Sequence, residues 1–272
     1  MQYGCCVNML PDVGTLAGAN YLAPLKALGY DYVEMPLKAL TLLPSADFAA
    51  VLQMQRDSGL PCRICNDFLL PEFRIVGPET TPQNELNDYF KRAFDRIGPN
   101  GMGAETVVFG SPWSKNCPEG FSRETAWEQI KTFLFHAAET AKACGIEICV
   151  EFNNRTETNM VTRFSDSVRI VCEVAHDNLT VHCDYYHIIM ERDDPAAITD
   201  GGDRIRHVHI AELNRAHLTE HDRNNAQLLA FANALKTIHY NGTISMEARP
   251  ITAEGWFSEA KTSLSVLHDL FD

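Results

Sequence analysis

The chain has 272 residues, 45% of them apolar and 22% charged, and a formal net charge of −13. This length is close to the roughly 250 residues of one (β/α)8 barrel, and the apolar share suits a folded globule rather than a disordered chain. So acidic a surface repels phosphate backbones and anionic lipid, which argues against nucleic acid and membranes as partners.

The N-terminal stretch MQYGCCVNMLPD has no basic segment ahead of an apolar one, and no run reaches membrane-spanning length. A strand is expected over 2–8, then a helix over 18–28, a strand over 31–34 and a helix over 46–58. The next units are strand 61–66 with helix 83–97, and strand 105–109 with helix 123–144. In that fourth helix Trp127, Ile130, Leu134, Ala137 and Ala141 recur at three and four, an apolar stripe for packing. Strands 146–151, 179–184, 205–210 and 243–247 follow, with helices over 164–175, 194–199, 225–239 and 256–271. The helix over 194–199 is short, with Asp194 as its N-cap and Pro195 in its first turn. Gly29, Gly59 and Gly145 stand where a helix end needs a left-handed residue.

The strands are apolar on both faces, as parallel strands covered by helices must be. Eight strand–helix units predict a single (β/α)8 TIM barrel over residues 1–272. An open doubly wound sheet is the runner-up, but NMLPDVGTLAG after the first strand lacks the glycine-rich phosphate loop it would want.

Nine cysteines is an odd count, and Cys5, Cys6, Cys62, Cys65, Cys149 and Cys183 lie in apolar runs. Reduced core thiols in a cytoplasmic protein account for this better than disulfides. Cys62 and Cys65 form one CxxC, but strand alternation predicts that they point to opposite faces. No second CxxC completes a zinc site.

Four strand-like runs end in a metal-ligand residue: ICVE at Glu151, TVHCD at Asp184, RHVH at His209 and TISME at Glu247. Any one of these is ordinarily a solvated cap or a hydrogen-bonded core residue. Four at the ends of strands five to eight are a pattern, because a barrel gathers those ends at one rim. Three carboxylates and one imidazole suit one divalent cation. Glu157, His187 and Arg215 follow these positions on loops that would overhang the ion, where they could bind hydroxyl and carbonyl oxygens of a polyol. His207 is expected as a buried supporting group below the rim, and His182 as a hydrogen-bonded core histidine. Arg63, Arg74, Lys115, Arg155 and Arg249 are candidates for a substrate phosphate, and spacing does not rank them.

On these motifs the chain resembles the xylose-isomerase-like TIM barrel superfamily, in its sugar phosphate isomerase/epimerase branch. It is similar to the D-tagatose and D-psicose 3-epimerase group. The group's Glu-x-x-Asn-Arg-x-Glu segment matches at Glu151, Asn154, Arg155 and Glu157, and its Asp-x-x-His at Asp184 and His187. Its His-x-His…Asn-Arg matches at His207, His209, Asn214 and Arg215, and its Tyr-x-Gly…Met-Glu at Tyr240, Gly242, Met246 and Glu247. The resemblance implies one divalent ion, usually manganese, on Glu151, Asp184, His209 and Glu247. It also implies a substrate held by Glu157, His187 and Arg215. Magnesium, cobalt and zinc suit the same ligands. The segments FGSPWSKNCPEGFS, CNDFLLPEFRIVGPE and AHLTEHDRNN depart from the group's pattern, which leaves open the sugar and its phosphorylation.

The expected activity is that of a metal-dependent isomerase, a ketose 3-epimerase that transfers a proton through a metal-stabilised enediolate. Glu151 and Glu247 are the expected acid/base pair. An aldose–ketose or hydroxypyruvate-type isomerase and an inosose dehydratase-like lyase are the alternatives. A homo-oligomer is compatible with the sequence.

Overall fold

Strands that are apolar on both faces cannot leave either face in water. In the computed structural model, which describes residues 1–272, eight parallel strands close into one barrel in sequence order, with the last against the first. They are β1 (Gln2–Cys6), β2 (Tyr32–Pro36), β3 (Cys62–Asn66), β4 (Thr106–Phe109), β5 (Glu147–Val150), β6 (Leu179–Asp184), β7 (Ile205–Ile210) and β8 (Thr243–Met246). Closure rules out the open doubly wound sheet.

The helices are α1 (Leu22–Leu28), α2 (Leu37–Leu42), α3 (Ser45–Ser58), α4 (Gln83–Ile97), α5 (Arg123–Ala143), α6 (Phe164–Val174), α7 (Tyr185–Glu191), α8 (Ala226–Thr237) and α9 (Trp256–Phe271). The predicted stripe of α5 is borne out at Ile130, Leu134, Ala137 and Ala141, which are fully buried, while Trp127 is half-buried and donates its indole N–H to Glu173. Gly29, Gly59 and Gly145 all have positive φ, as expected at helix ends.

Two short helices were not expected. α2 follows β2 directly, and α7 follows β6 directly. The run YYHIIME of α7 is aromatic and β-branched, which disguises it as strand. It becomes helical because the Asp184 carboxylate caps it, accepting from the Tyr186 N–H at 2.8 Å. In the sixth unit Asp194 caps as expected, but the segment Pro195–Arg204 is 3-10 rather than α and kinks at Gly202. The first helix begins at Leu22 rather than 18, after a 3-10 turn over Ala19–Tyr21.

The core has two parts. A large apolar layer lies between strands and helices. A small cluster of Tyr32, Ile64, Val108 and Cys149 plugs the inside of the barrel. Gly4 makes room for the Tyr32 ring, since a Cβ there would lie 2.3 Å from it. Two residues beyond three of these plug residues stand Glu34, Asn66 and Glu151, on the same inward face. The apolar plug is therefore a floor, with a polar layer above it at the rim.

The expectation for the CxxC pair is overturned. Val33 pairs with Cys62 and Glu34 with Ile64, so Arg63 is an extra residue in the ladder. One extra residue reverses the alternation. Cys62 and Cys65 thus share the outward face, their sulfurs 3.9 Å apart. All nine cysteines are free thiols. No helix is long and apolar enough to cross a membrane.

Candidate active site

The ends of β5 to β8 meet at one rim. Asp184 is the last residue of β6 and His209 the last but one of β7, while Glu151 and Glu247 stand one residue past β5 and β8. One donor atom from each lies within 4.8 Å of those of the others. His209 Nδ1 is 3.3 Å from Glu247 Oε2 and 3.9 Å from Glu151 Oε1. That nitrogen is buried and has no hydrogen-bond partner. An orphaned imidazole nitrogen facing three carboxylates is the donor set of a divalent cation, so these residues fit one.

Burial, followed by the charges of Glu247 and Asp184, pushes the Glu151 carboxyl up to about 8. For Glu247 burial works the other way from its neighbours, and Arg215 and His209 outweigh it and hold the carboxyl below its ordinary value.

The three residues expected on loops close over this group, although His187 stands on α7 rather than a loop. Arg215 donates from one guanidinium nitrogen to Asp184 Oδ2 at 2.8 Å and to Glu247 Oε2, with its plane 4.0 Å from the Tyr186 ring. Asn214 and Arg215 both have left-handed backbones, at φ 61° and 56°. Such conformations are costly for residues other than glycine, and here they aim the guanidinium inward. His187, fully buried on α7, receives the Asn154 N–H at Nδ1 (3.2 Å). Its Nε2 lies 3.4 Å from Asp184 Oδ2 and 3.8 Å from Glu151 Oε1. Glu157 accepts from the Asn154 amide at 3.1 Å and sits 3.9 Å from His187. All seven residues singled out from the sequence therefore share one site. Glu151, Glu157, His209, Arg215 and Glu247 border a cavity of about 540 Å³, whose walls also include Asn8, Asn66, Trp113 and Arg249.

The profile of the xylose isomerase-like TIM barrel family matches residues 22–268. The chain belongs to that family. It is 35% identical over 253 residues to an L-ribulose 3-epimerase of Methylomonas sp. (strain DH-1), covering 91% of this chain and 84% of that one. It is 30% identical over 228 residues to a D-psicose 3-epimerase of Ruminiclostridium cellulolyticum, covering 84% and 76%. The crystal structure of D-psicose 3-epimerase with D-tagatose from Clostridium cellulolyticum H10 superposes over the full length of both chains, with a TM-score of 0.85 and 18% identity. The protein is thus an enzyme of the carbohydrate epimerase and isomerase group within the xylose isomerase-like family.

Below the rim of this xylose isomerase-like barrel His207 is buried as expected, but its partner Glu34 was not singled out from the sequence. Glu34, fully buried in the middle of β2, accepts from His209 Nε2 at 2.9 Å and from His207 Nε2 at 2.9 Å. His207 is bound on its other side by the Thr243 carbonyl at 3.0 Å and hydroxyl at 2.8 Å. Burial opposes ionisation of Glu34, but the His209 and His207 rings outweigh it and hold the carboxyl well below the usual range. Glu34 takes one face of the His209 ring, which leaves Nδ1 turned to the three carboxylates. A signal existed, because the strand expected over 31–34 ends in Glu as the ligand strands do, but no nearby residue tied Glu34 to a ligand, and β2 in fact runs on to Pro36.

His182 is buried as expected, but not hydrogen-bonded: neither ring nitrogen has a partner, and Nδ1 is 3.6 Å from Glu151 Oε1. The His207 and His209 rings crowd it, at centroid separations of 5.3 and 4.2 Å, so no backbone group reaches it. Lys115 is fully buried and faces no solvent phosphate. Its ammonium donates to the Gly110 carbonyl (2.8 Å), the Glu151 carbonyl (3.0 Å) and Asn153 Oδ1 (2.7 Å), bracing the loops after β4 and β5. Burial pushes it down to about 8.

Gly110 leaves the space that the Glu151 carboxylate fills, since a Cβ there would stand 2.0 Å from Oε2. Gly110→Ala is expected to displace that carboxylate and lower kcat roughly 100-fold, the scale of an ångström-sized misplacement. Its backbone φ is not in the left-handed region, so the melting temperature should change little. A wild-type kcat in this variant would show that the carboxylate position is not critical.

Proposed function

We propose that the protein is a divalent-metal-dependent ketose 3-epimerase acting on a small sugar in a reducing compartment, the cytoplasm. The observation that carries this reading is the pair Glu151 and Glu247. They come from non-adjacent strands, and both reach one polar cavity beside Arg215 and His187. The L-ribulose and D-psicose 3-epimerase relatives support it. The nine free thiols support the compartment.

Glu151, Asp184, His209 through Nδ1 and Glu247 would hold one ion, manganese in the first place, with magnesium, cobalt and zinc also suited. When bound, the ion withdraws electron density from the carbonyl and neighbouring hydroxyl oxygens, which acidifies the hydrogen on the carbon beside the carbonyl. The chain's own residues then move the proton. One of the two glutamates takes it from one face of C3, and the other returns a proton to the opposite face, so the centre inverts. Arg215 donates to the oxygens on which charge develops. Glu157 and His187 bind hydroxyls and fix which carbon lies between the two carboxylates.

The test is a panel of neutral and acidic ketoses incubated in D2O with the manganese-loaded protein and read by NMR. Deuterium at C3 together with the 3-epimer is expected. Transfer of the carbonyl between C1 and C2 would make the protein an aldose–ketose isomerase, and loss of water would make it a lyase. No exchange on any ketose would end the reading.

A further inference from the structure

Five cations were candidates for a phosphate, and their positions now separate them. Arg63 is paired with Glu105 at 2.6 Å, at the opposite end of the barrel beside Gln2 and Thr243. Arg74 donates to the Pro71 and Phe73 carbonyls at 2.6 and 2.9 Å. Lys115 is sealed beneath the loops, and Arg155 is paired with Glu191 at 3.2 Å. Arg249 alone of the five borders the active-site cavity.

Two other charged groups lining the cavity are committed. Arg215 is engaged by Asp184 and Glu247. Asp67 is paired with Lys38 at 3.1 Å. Arg249, by contrast, makes neither an ion pair nor a side-chain hydrogen bond, in a cavity walled by Glu151, Glu157 and Glu247. Its place is nonetheless fixed. Its N–H donates to the Arg215 carbonyl at 2.6 Å, and it bridges to Ala216 in parallel register. It stands two residues past Glu247, about 7 Å along an extended chain. Its exposed side chain borders the cavity from the loop after β8, beside the segment after β7 that carries Arg215.

A neutral polyol gives such a cation nothing to pair with, whereas a phosphate or carboxylate receives two parallel N–H bonds from it. We propose that the cavity takes a ketose with an anionic group at the end away from the carbonyl, and that Arg249 binds that group. The proposal rests on the ketose epimerase reading and names its substrate class. On a protein of net charge −13, binding an anion at a cavity rim needs such a dedicated cation.

The test compares D-fructose, D-fructose 6-phosphate and D-fructuronate with the manganese-loaded enzyme, for wild type, Arg249→Ala and Arg249→Lys. One acidic ketose is expected to exceed D-fructose in kcat/KM by roughly 10-fold or more. Arg249→Ala should reduce that advantage roughly 10- to 100-fold through KM, with Arg249→Lys recovering part of it. Which acid is favoured tells a phosphate from a carboxylate. Calorimetric binding of the two acids to wild type and Arg249→Ala reads the subsite without turnover. Exchange at C3 that favours D-fructose, unaltered in preference by Arg249→Ala, would overturn the subsite and leave the epimerase. Arg249-dependent binding without C3 exchange would overturn the epimerase and keep the subsite. Equal binding to wild type and Arg249→Ala would overturn the subsite whatever the reaction.

Discussion

Glu151→Gln and Glu247→Gln are each expected to lower kcat for epimerisation by roughly 10²- to 10⁴-fold, the range removed with a positioned acid or base. The amide keeps the shape and one oxygen of the carboxylate but can neither accept nor return the proton. Both residues are also proposed ligands, so lost turnover alone would not separate the two roles. Proton exchange does. With two bases on opposite faces, a variant that keeps one carboxylate can still take a proton from its own side and give back a deuteron. One substrate epimer then gains deuterium at C3 without inverting, and the epimer that survives differs between the two variants. Metal content measured on the same samples shows whether the ion is still present. If both variants retained wild-type kcat with the ion in place, neither glutamate would move the proton. If a single variant abolished exchange from both epimers while the other did nothing, a one-base mechanism would replace the two-base one.

The second large effect concerns the ion. Manganese at a hundredfold excess over its dissociation constant stabilises a one-site protein by about 2.7 kcal/mol. For a chain of this size that is a rise in Tm of roughly 5–10 °C. Asp184→Ala is expected to abolish this shift and to leave the protein metal-free after dialysis. His209→Ala should do the same, but it also strips a partner from Glu34, fully buried and ionised between two histidines. Breaking such a buried pair costs about 3–5 kcal/mol, so a lower Tm without metal would accompany that variant and make Asp184→Ala the cleaner test. Arg215→Ala should behave differently. Its guanidinium lies against Asp184 and Glu247, so removing it takes away a cation that shares those carboxylates. The variant should hold manganese at least as tightly as wild type while kcat falls. If Arg215→Ala lost the ion as readily as Asp184→Ala, the division between metal ligands and substrate residues would be wrong.

Much of this site was legible along the chain because parallel strands set their side chains by a simple rule. A residue at the end of a strand buried on both faces stands at the rim, and a closed barrel brings all such ends together. Glu151, Asp184, His209 and Glu247 follow from that rule, and so do the segments bearing Glu157 and Arg215, whereas His187 stands on the unexpected α7. The eight units were legible for the same reason, apart from α2 and α7. Those have six and seven residues, under two turns, too short for a 3.6-residue period to emerge.

What only the tertiary structure decided lies between residues that no local pattern connects. Glu34 supports His209 across 175 positions of sequence. Lys115 spends its charge on carbonyls of two different loops, and Arg249 is distinguished from four other cations solely by what stands next to it. The extra residue Arg63 turned Cys62 to the face of Cys65, a slip that depends on pairing with β2 and has no mark in β3 itself. Periodicity reports which way a side chain points relative to its own strand or helix. Which partner it then meets depends on closure of the barrel, which sets distant chain segments at hydrogen-bonding range.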